Sequence, residues 1–277
     1  METRQRKQIS LAQNFLQSPT LVRRLVRMSN IDLSDTVYEI GPGTGIITAA
    51  LATVAGSVIA IEKDHELVRR LRERFGQVQN VEIVEKDFLN YTLPGRPNKS
   101  GIPYRVSRYK IFANIPYNST AQIVRKILDE RSGLCEAYLI IQREAAKKFS
   151  GCPRESLFSI LVKPFFDLQV LSQFKRTDFW PVPNVDSVFL SIKRRPNPLI
   201  KGEDSAIYRE FVRYGFSSWK PNLRLSFKNV FTYKQWKHLS RDLDFSLNAT
   251  PTELGVAQWV GLYDGFKCTR REDNQCR

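Results

Sequence analysis

The chain has 277 residues, 42% of them apolar, enough to bury the core of one large domain or two ordinary ones. Its 43 Lys and Arg against 28 Asp and Glu give a formal charge of +15, which points to nucleic acid before an anionic membrane, since no long basic amphipathic helix accompanies it. No run of 18 apolar residues occurs, and the basic start METRQRKQIS leads into no apolar signal core, so neither a transmembrane helix nor a secretory leader is expected, and a cytoplasmic location is.

Residues 1–12 are polar and basic and are expected to be mobile. Ser18 then caps a helix with Pro19 at its first position and Leu21, Val22, Leu25 and Val26 on one face. TVYEIGPGTG reads as a short apolar strand entering a glycine-rich turn, and ITAALATVAG as a helix that ends at Gly56. The rhythm continues with the strand SVIAIE, the helix HELVRRLRERF and the strand VEIVEKD. Next come the strand YKIFAN, the helix TAQIVRKILDE, the strand AYLIIQ and the helix REAAKKFS. Strands that alternate with helices imply a parallel sheet covered on both faces, and the continuous apolar runs VIAI and YLII fit that burial. FDLQVLSQF and SVFLSIKRR have no helix between them and read as a hairpin-type, partly antiparallel edge.

Two stretches break this rhythm. Residues 94–108, PGRPNKSGIPYRVSR, read as a surface loop that carries the cations Arg96, Lys99, Arg105 and Arg108. Beyond PNPLIK, near 196–201, the apolar spacing of IYREFVRYGFSSW, LSFKNVF, KQWKHLSRDL and AQWVGLYDGF indicates a small helical domain. The expected division is 1–196, 197–266 and a disordered tail, 267–277. Four scattered cysteines, Cys135, Cys152, Cys268 and Cys276, form no CxxC pair, and His65 and His238 lie far apart. A metal centre or disulfide framework is therefore not expected.

Candidate site residues fall at the carboxyl ends of the first four strands, where open α/β sheets bind ligands. In EIGPGTG, the glycines Gly41, Gly43 and Gly45 allow close backbone approach, with a helix N-terminus behind them. The spacing departs from the dinucleotide fingerprint, since Ile46 holds the sixth position. Glu62 closes SVIAIE, where a carboxylate can accept from both hydroxyls of a ribose. Asp87 closes VEIVEKD and can accept from an adenine amino group, with Phe88 flanking the ring. The fourth is Asn114-Ile115-Pro116-Tyr117. Pro116 fixes its own φ and keeps Ile115 out of the helical region, so the Asn114 amide oxygen and the Ile115 carbonyl can converge on one point. Two converging acceptors suit an exocyclic NH2, whose lone pair they would localise, and Tyr117 can stack on the base.

Together, EIGPGTG, the strand-end acids and NIPY resemble the S-adenosylmethionine-dependent rRNA adenine N6-dimethyltransferases. Gln13-Asn14-Phe15-Leu16 is similar to that family's N-terminal cofactor element, and FWPVPNVDSV, from Phe179 to Val188, to its later F-x-P-x-P-x-V-x-S element. The resemblance spans roughly residues 11–265 and implies a Rossmann-like methyltransferase domain followed by a helical RNA-associated domain. It also implies a cofactor site of Gln13, Asn14, Leu16, Gly41, Gly43, Glu62, Asp87, Phe88 and Asn114, with Phe179 covering the base or simply packed in its loop. The isoleucine of NIPY and the C-terminal sequence favour the erythromycin-resistance branch, which modifies one adenine of 23S rRNA, over the branch that serves small-subunit assembly. A monomer acting on 23S rRNA is expected. A DNA adenine methyltransferase, a nicotinamide enzyme and a non-catalytic RNA-binding module are the alternatives.

Overall fold

A computed structural model describes residues 14–94, 108–129 and 132–275, with side chains through residue 269. The expectations for residues 1–12, Gln13, Arg96, Lys99, Arg105 and Cys276 lie outside these residues. The chain forms two compact units. One comprises residues up to Ala146 with Leu168–Arg194; the other comprises Lys147–Asp167 and the chain from Arg195 onward.

The first unit opens with β1 (Phe15–Leu16) and α1 (Pro19–Arg27). The Ser18 hydroxyl accepts from Leu21 N at 3.2 Å, so the helix starts where its cap and proline dictate. β2 (Thr36–Ile40), α2 (Ile46–Leu51), β3 (Ser57–Glu62), α3 (His65–Phe75), β4 (Val81–Glu85), β5 (Tyr109–Asn114), α4 (Thr120–Ile127) and β6 (Leu134–Gln142) follow, then α5 (Arg143–Ser150), whose residues from Lys147 are counted with the second unit. α2 is shorter than expected, because the chain leaves the helix at Ala52 rather than at Gly56.

β7 (Phe166–Gln173) and β9 (Ser187–Arg194) complete a seven-stranded sheet of order β4-β3-β2-β5-β6-β9-β7. Pairing is parallel from β4 to β6 and antiparallel between β6 and β9. This is the mixed Rossmann-like sheet expected, with β9 inserted between β6 and β7. One core cluster joins Val22, Leu25 and Leu51 from helices to Phe112, Tyr138 and Phe189, which share one face of the sheet. Sequence reading did not find the two-stranded ribbon in which β1 pairs antiparallel with β8 (Phe179–Trp180), Phe15 opposite Trp180 and Leu16 opposite Phe179.

The second unit contains α6 (Leu157–Val162), α7 (Ser205–Ser217), α8 (Leu223–Ser226), α9 (Tyr233–Asp242) and α10 (Val256–Gln275). Its core is aromatic: Phe211 stacks on Phe227 at 4.7 Å, and both meet Trp259 edge-on. Two features differ from the expected division. Residues 147–167 join this unit, tied in part by the buried Tyr208 hydroxyl, which donates to Ile160 O at 3.1 Å. The tail expected to be disordered from residue 267 continues as helix to Gln275, and at its start Lys267 bridges Asp204 at 3.0 Å and Asp264 at 3.1 Å.

Candidate active site

The strand order places β2 between β3 and β5, so the connections leave β2 in opposite directions and open a crevice at the carboxyl ends of β2 and β5. The parallel register sets Ile40 beside Ala113. Gly41 and Asn114, each one residue further, therefore face the same crevice from adjacent strands.

Gly41 has φ +66°, and a Cβ built on it meets nothing within 4 Å. The backbone is thus turned left-handed with open space where a side chain would stand, the form a close-approach site requires. Gly43, φ +58°, is packed instead: an added Cβ would sit 2.5 Å from the Phe15 ring. Its N–H donates to Glu62 Oε2 at 3.3 Å. Gly43 shapes the turn and bonds the strand-end acid rather than lining the space.

Two adjoining recesses share Gly41 and Pro116. One, of about 470 Å³, is lined by Gly41, Glu62, Asp87, Phe88, Leu89 and Ile123 among others. The second, of about 360 Å³, is lined by Asn14, Phe15, Gly41, Asn114, Ile115, Pro116 and Tyr117. The structure therefore brings together Asn14, Gly41, Glu62, Asp87, Phe88 and the whole Asn114–Tyr117 corner.

Glu62 is 2% exposed. Its Oε1 accepts from Lys63 N at 2.8 Å and Asp64 N at 3.0 Å, while Oε2 takes the Gly43 N–H. Burial holds its carboxyl above the usual range, and these three backbone donors offset part of that rise. An ionised carboxylate offers about four acceptor positions, so the one left over can take a ligand hydroxyl. Asp87 Oδ1 caps the following turn by accepting from Leu89 N at 2.8 Å.

In the second recess, the Asn114 amide nitrogen donates to the Asn14 carbonyl at 2.7 Å. A carbonyl needs a donor, so this bond fixes which end of the amide is which and leaves Oδ1 as the atom free to accept. Ile115 is 1% exposed as a whole, and its N–H is spent on Ile140 O at 3.1 Å, which pins the corner to β6. The Tyr117 hydroxyl hydrogen-bonds Ser187 Oγ at 2.6 Å, and burial raises its ionisation above the usual phenol range. Its ring is thereby held at a set angle beside Pro116.

Two expectations need correction. Phe179 is fully buried and meets Phe174 edge-on at 5.3 Å, so it belongs to the core and lines neither recess. Leu16 is likewise a core side chain, 4% exposed, because alternation along β1 turns it inward and Phe15 outward. That alternation was the signal that could have found Phe15. A second residue passed over is Lys126 on α4. Its ammonium donates to the carbonyls of Phe88, Leu89 and Tyr91 at 2.6, 2.7 and 2.6 Å and lies 5.0 Å from the Phe88 ring centre. It ties the wall that carries Asp87 and Phe88 to the helix behind the corner.

The residues present fit the expected S-adenosylmethionine. Gly41 leaves room for close approach, Glu62 keeps an acceptor position for a ribose hydroxyl, and the Asp87–Phe88 wall is fixed from behind. Among the described residues no group of His, Cys, Asp and Glu could hold a metal ion, and no helix is long and apolar enough to cross a membrane.

Comparison with known proteins agrees with this chemistry. The model of the ribosomal RNA adenine dimethylase family matches residues 4–266. An rRNA adenine N-6-methyltransferase of Bacteroides fragilis is 29% identical over 91% of this chain and 90% of its own. The ribosomal RNA small subunit methyltransferase A of Chlorobaculum tepidum is 36% identical, covering 95% and 90% respectively. The crystal structure of the 23S rRNA methyltransferase ErmE superimposes with a TM-score of 0.81 at 27% identity, covering 92% of this chain and all of that one.

Proposed function

Since the chain belongs to the ribosomal RNA adenine dimethylase family, whose members are S-adenosylmethionine-dependent rRNA adenine N6-methyltransferases, we propose that its target is one adenine of 23S rRNA. Modification there would confer resistance to macrolides, lincosamides and streptogramin B. The observation that carries the chemistry is the oriented amide of Asn114, with its nitrogen spent on Asn14 and its oxygen left to accept.

When bound, S-adenosylmethionine supplies a methyl group already activated by its sulfonium. The chain is left with positioning and with orienting the amine. In this reading Glu62 holds a ribose hydroxyl and Asp87 the cofactor's adenine amino group, with Phe88 against that ring. Asn114 Oδ1 and the Ile115 carbonyl accept the two N–H hydrogens of the target amine and localise its lone pair. Pro116 holds the corner rigid, and Tyr117 stacks on the target base. The amine proton becomes acidic once nitrogen is alkylated and passes to water, so no histidine is required. The target adenine must leave its stack to enter, which suits an accessible loop of the RNA. The helical unit is assigned to the RNA, and the enzyme to the cytoplasm as a monomer.

The choice of 23S rRNA is supported by Ile115 in NIPY and by the likeness to ErmE over its full length. The second reading, a small-subunit rRNA dimethyltransferase acting in ribosome assembly, is favoured by the 36% identity to the Chlorobaculum tepidum enzyme. Expression in a macrolide-susceptible bacterium, followed by macrolide challenge and mapping of methylated adenines in both rRNAs, separates them. Resistance with a modified 23S adenine is expected. Modification of 16S rRNA alone, with unchanged susceptibility, rejects the first reading.

A further inference from the structure

Beside the catalytic corner stands a cluster that the methyl-transfer chemistry does not use. Ser187, which holds the Tyr117 hydroxyl, begins β9 opposite Gln142, the last residue of β6. The preceding residue, Asp186, lies about 3.8 Å away along the backbone. Two arginines converge on its carboxylate. Arg176 Nε donates to Oδ1 at 2.8 Å, and Arg143 Nη2 lies 2.9 Å from Oδ2. The Arg143 N–H also donates to the Asp186 carbonyl at 2.8 Å. Arg176 sits on a short turn that is itself fixed, since Lys175 N donates to Asp178 Oδ2 at 2.9 Å and Gln17 N to Asp178 O at 3.1 Å.

Both guanidinium groups remain open to solvent, with side-chain exposures of 44% for Arg143 and 50% for Arg176. Each guanidinium has five N–H donors, and one carboxylate shared by two arginines consumes a minority of them. Arg143 Nε also lies 3.8 Å from the Glu144 carboxylate, so two guanidiniums face two carboxylates, and what the cluster has left for a ligand is unused N–H donors rather than net charge. As a stabilising device it is weak, because exposed ion pairs contribute about 0–1 kcal/mol. As a receptor it is well formed: planar forks, held at fixed angles by a shared carboxylate, match the tetrahedral oxygens of a phosphate.

We propose that Arg143 and Arg176, oriented by Asp186, bind the RNA phosphate that flanks the target adenine. The nucleotide drawn into the corner stays joined to its strand, so its phosphate must pass the rim next to Tyr117. A charged fork there fixes where the strand enters while Asn114 fixes the amine. Asp186 acts as a positioning residue for the two arginines. This inference rests on adenine methylation of ribosomal RNA and not on which subunit is modified.

The test uses the full chain and labelled hairpins from 23S and 16S rRNA, titrated by fluorescence anisotropy over a range of salt. Three proteins are compared: wild type, Arg143→Gln/Arg176→Gln, and Arg69→Gln/Arg72→Gln on α3 as a charge-matched control. Calorimetric binding of S-adenosylmethionine checks that each is folded. The site variant is expected to bind RNA about tenfold more weakly, with the slope of log affinity against log salt shallower by about 0.7, one phosphate's worth on a single strand. The control should keep the wild-type slope. On the hairpin that is methylated, KM for RNA should rise with kcat largely kept. A site variant whose affinity and slope match wild type overturns the proposal, as does an equal change in the control. If wild type binds both hairpins but methylates neither, the activity reading fails while the slope comparison still decides the phosphate contact.

Discussion

Replacing Asn114 by alanine isolates the orienting amide from the rest of the site. The substitution removes two things of different size. One is the 2.7 Å bond to the Asn14 carbonyl, whose loss costs about 1 kcal/mol of stability. The other is Oδ1, an acceptor already aimed before reaction. Losing one such pre-aimed partner costs about 2.7–4 kcal/mol at the transition state, or 10²–10³ in rate. Cofactor affinity should fall much less, by under about tenfold, because Glu62, Asp87 and Phe88 line the other recess and are untouched. Single-turnover transfer of a labelled methyl group with enzyme in excess measures the first effect, and calorimetric titration of S-adenosylmethionine the second. Asn114→Asp is a useful companion, since it sets a carboxylate oxygen against the Asn14 carbonyl and should also lose rate. A single-turnover rate for Asn114→Ala within about threefold of wild type would refute the reasoning, because no acceptor worth several kcal/mol could then have been removed.

Gly41→Ala should fold, at a cost of about 1–2 kcal/mol for a side chain at positive φ, since its Cβ meets no protein atom; cofactor affinity should fall sharply, as read by calorimetry. Unchanged affinity would mean that nothing approaches Gly41. Lys126→Met leaves three carbonyls without their ammonium, so KM for S-adenosylmethionine should rise while kcat at saturation stays near wild type, with roughly 2 kcal/mol lost in urea unfolding. A fall in kcat with KM unchanged would remove Lys126 from the cofactor wall. The Glu39 carboxyl is 1% exposed, takes one hydrogen bond from Thr48 at 2.6 Å and leaves Oε1 without a partner; burial pushes it up to about 8. Its contribution to stability is full below the unfolded value of 4.5 and is lost as pH rises toward 8, at up to about 1.4 kcal/mol per pH unit. Urea midpoints of wild type should therefore decline more steeply than those of Glu39→Gln between pH 5 and 8 (on the order of the window set by these two values); parallel curves would exclude the effect.

Much of the sheet could be read in advance because each strand is a continuous apolar run that ends on a polar or glycine residue. Glu62 and Asn114 were conspicuous for that reason: a carboxylate and an amide close strands that are otherwise buried. What escaped reading depends on partners far along the chain. Phe179 sits in an exposed-looking Pro-rich stretch, yet pairing with Leu16 turns it into the core. Lys126 is one of two adjacent cations on α4 and looks solvated in one dimension; only the approach of the 88–91 turn gives it three acceptors. The 147–167 segment follows the sheet's rhythm without a break in composition, so nothing local reveals that it packs with helices some 50 residues later.

The ribbon of β1 with β8 has a bearing on when the enzyme becomes competent. The carbonyl that aims Asn114 comes from a position 100 residues earlier, and the strand beginning at the next residue pairs with Phe179 and Trp180. A chain emerging from its N-terminus has its glycine turn and strand-end acids long before residue 180 arrives to hold Asn14 in place. The aimed amide is thus a property of the chain through β8: until Phe179 and Trp180 pair with β1, the glycine turn and the strand-end acids stand without it.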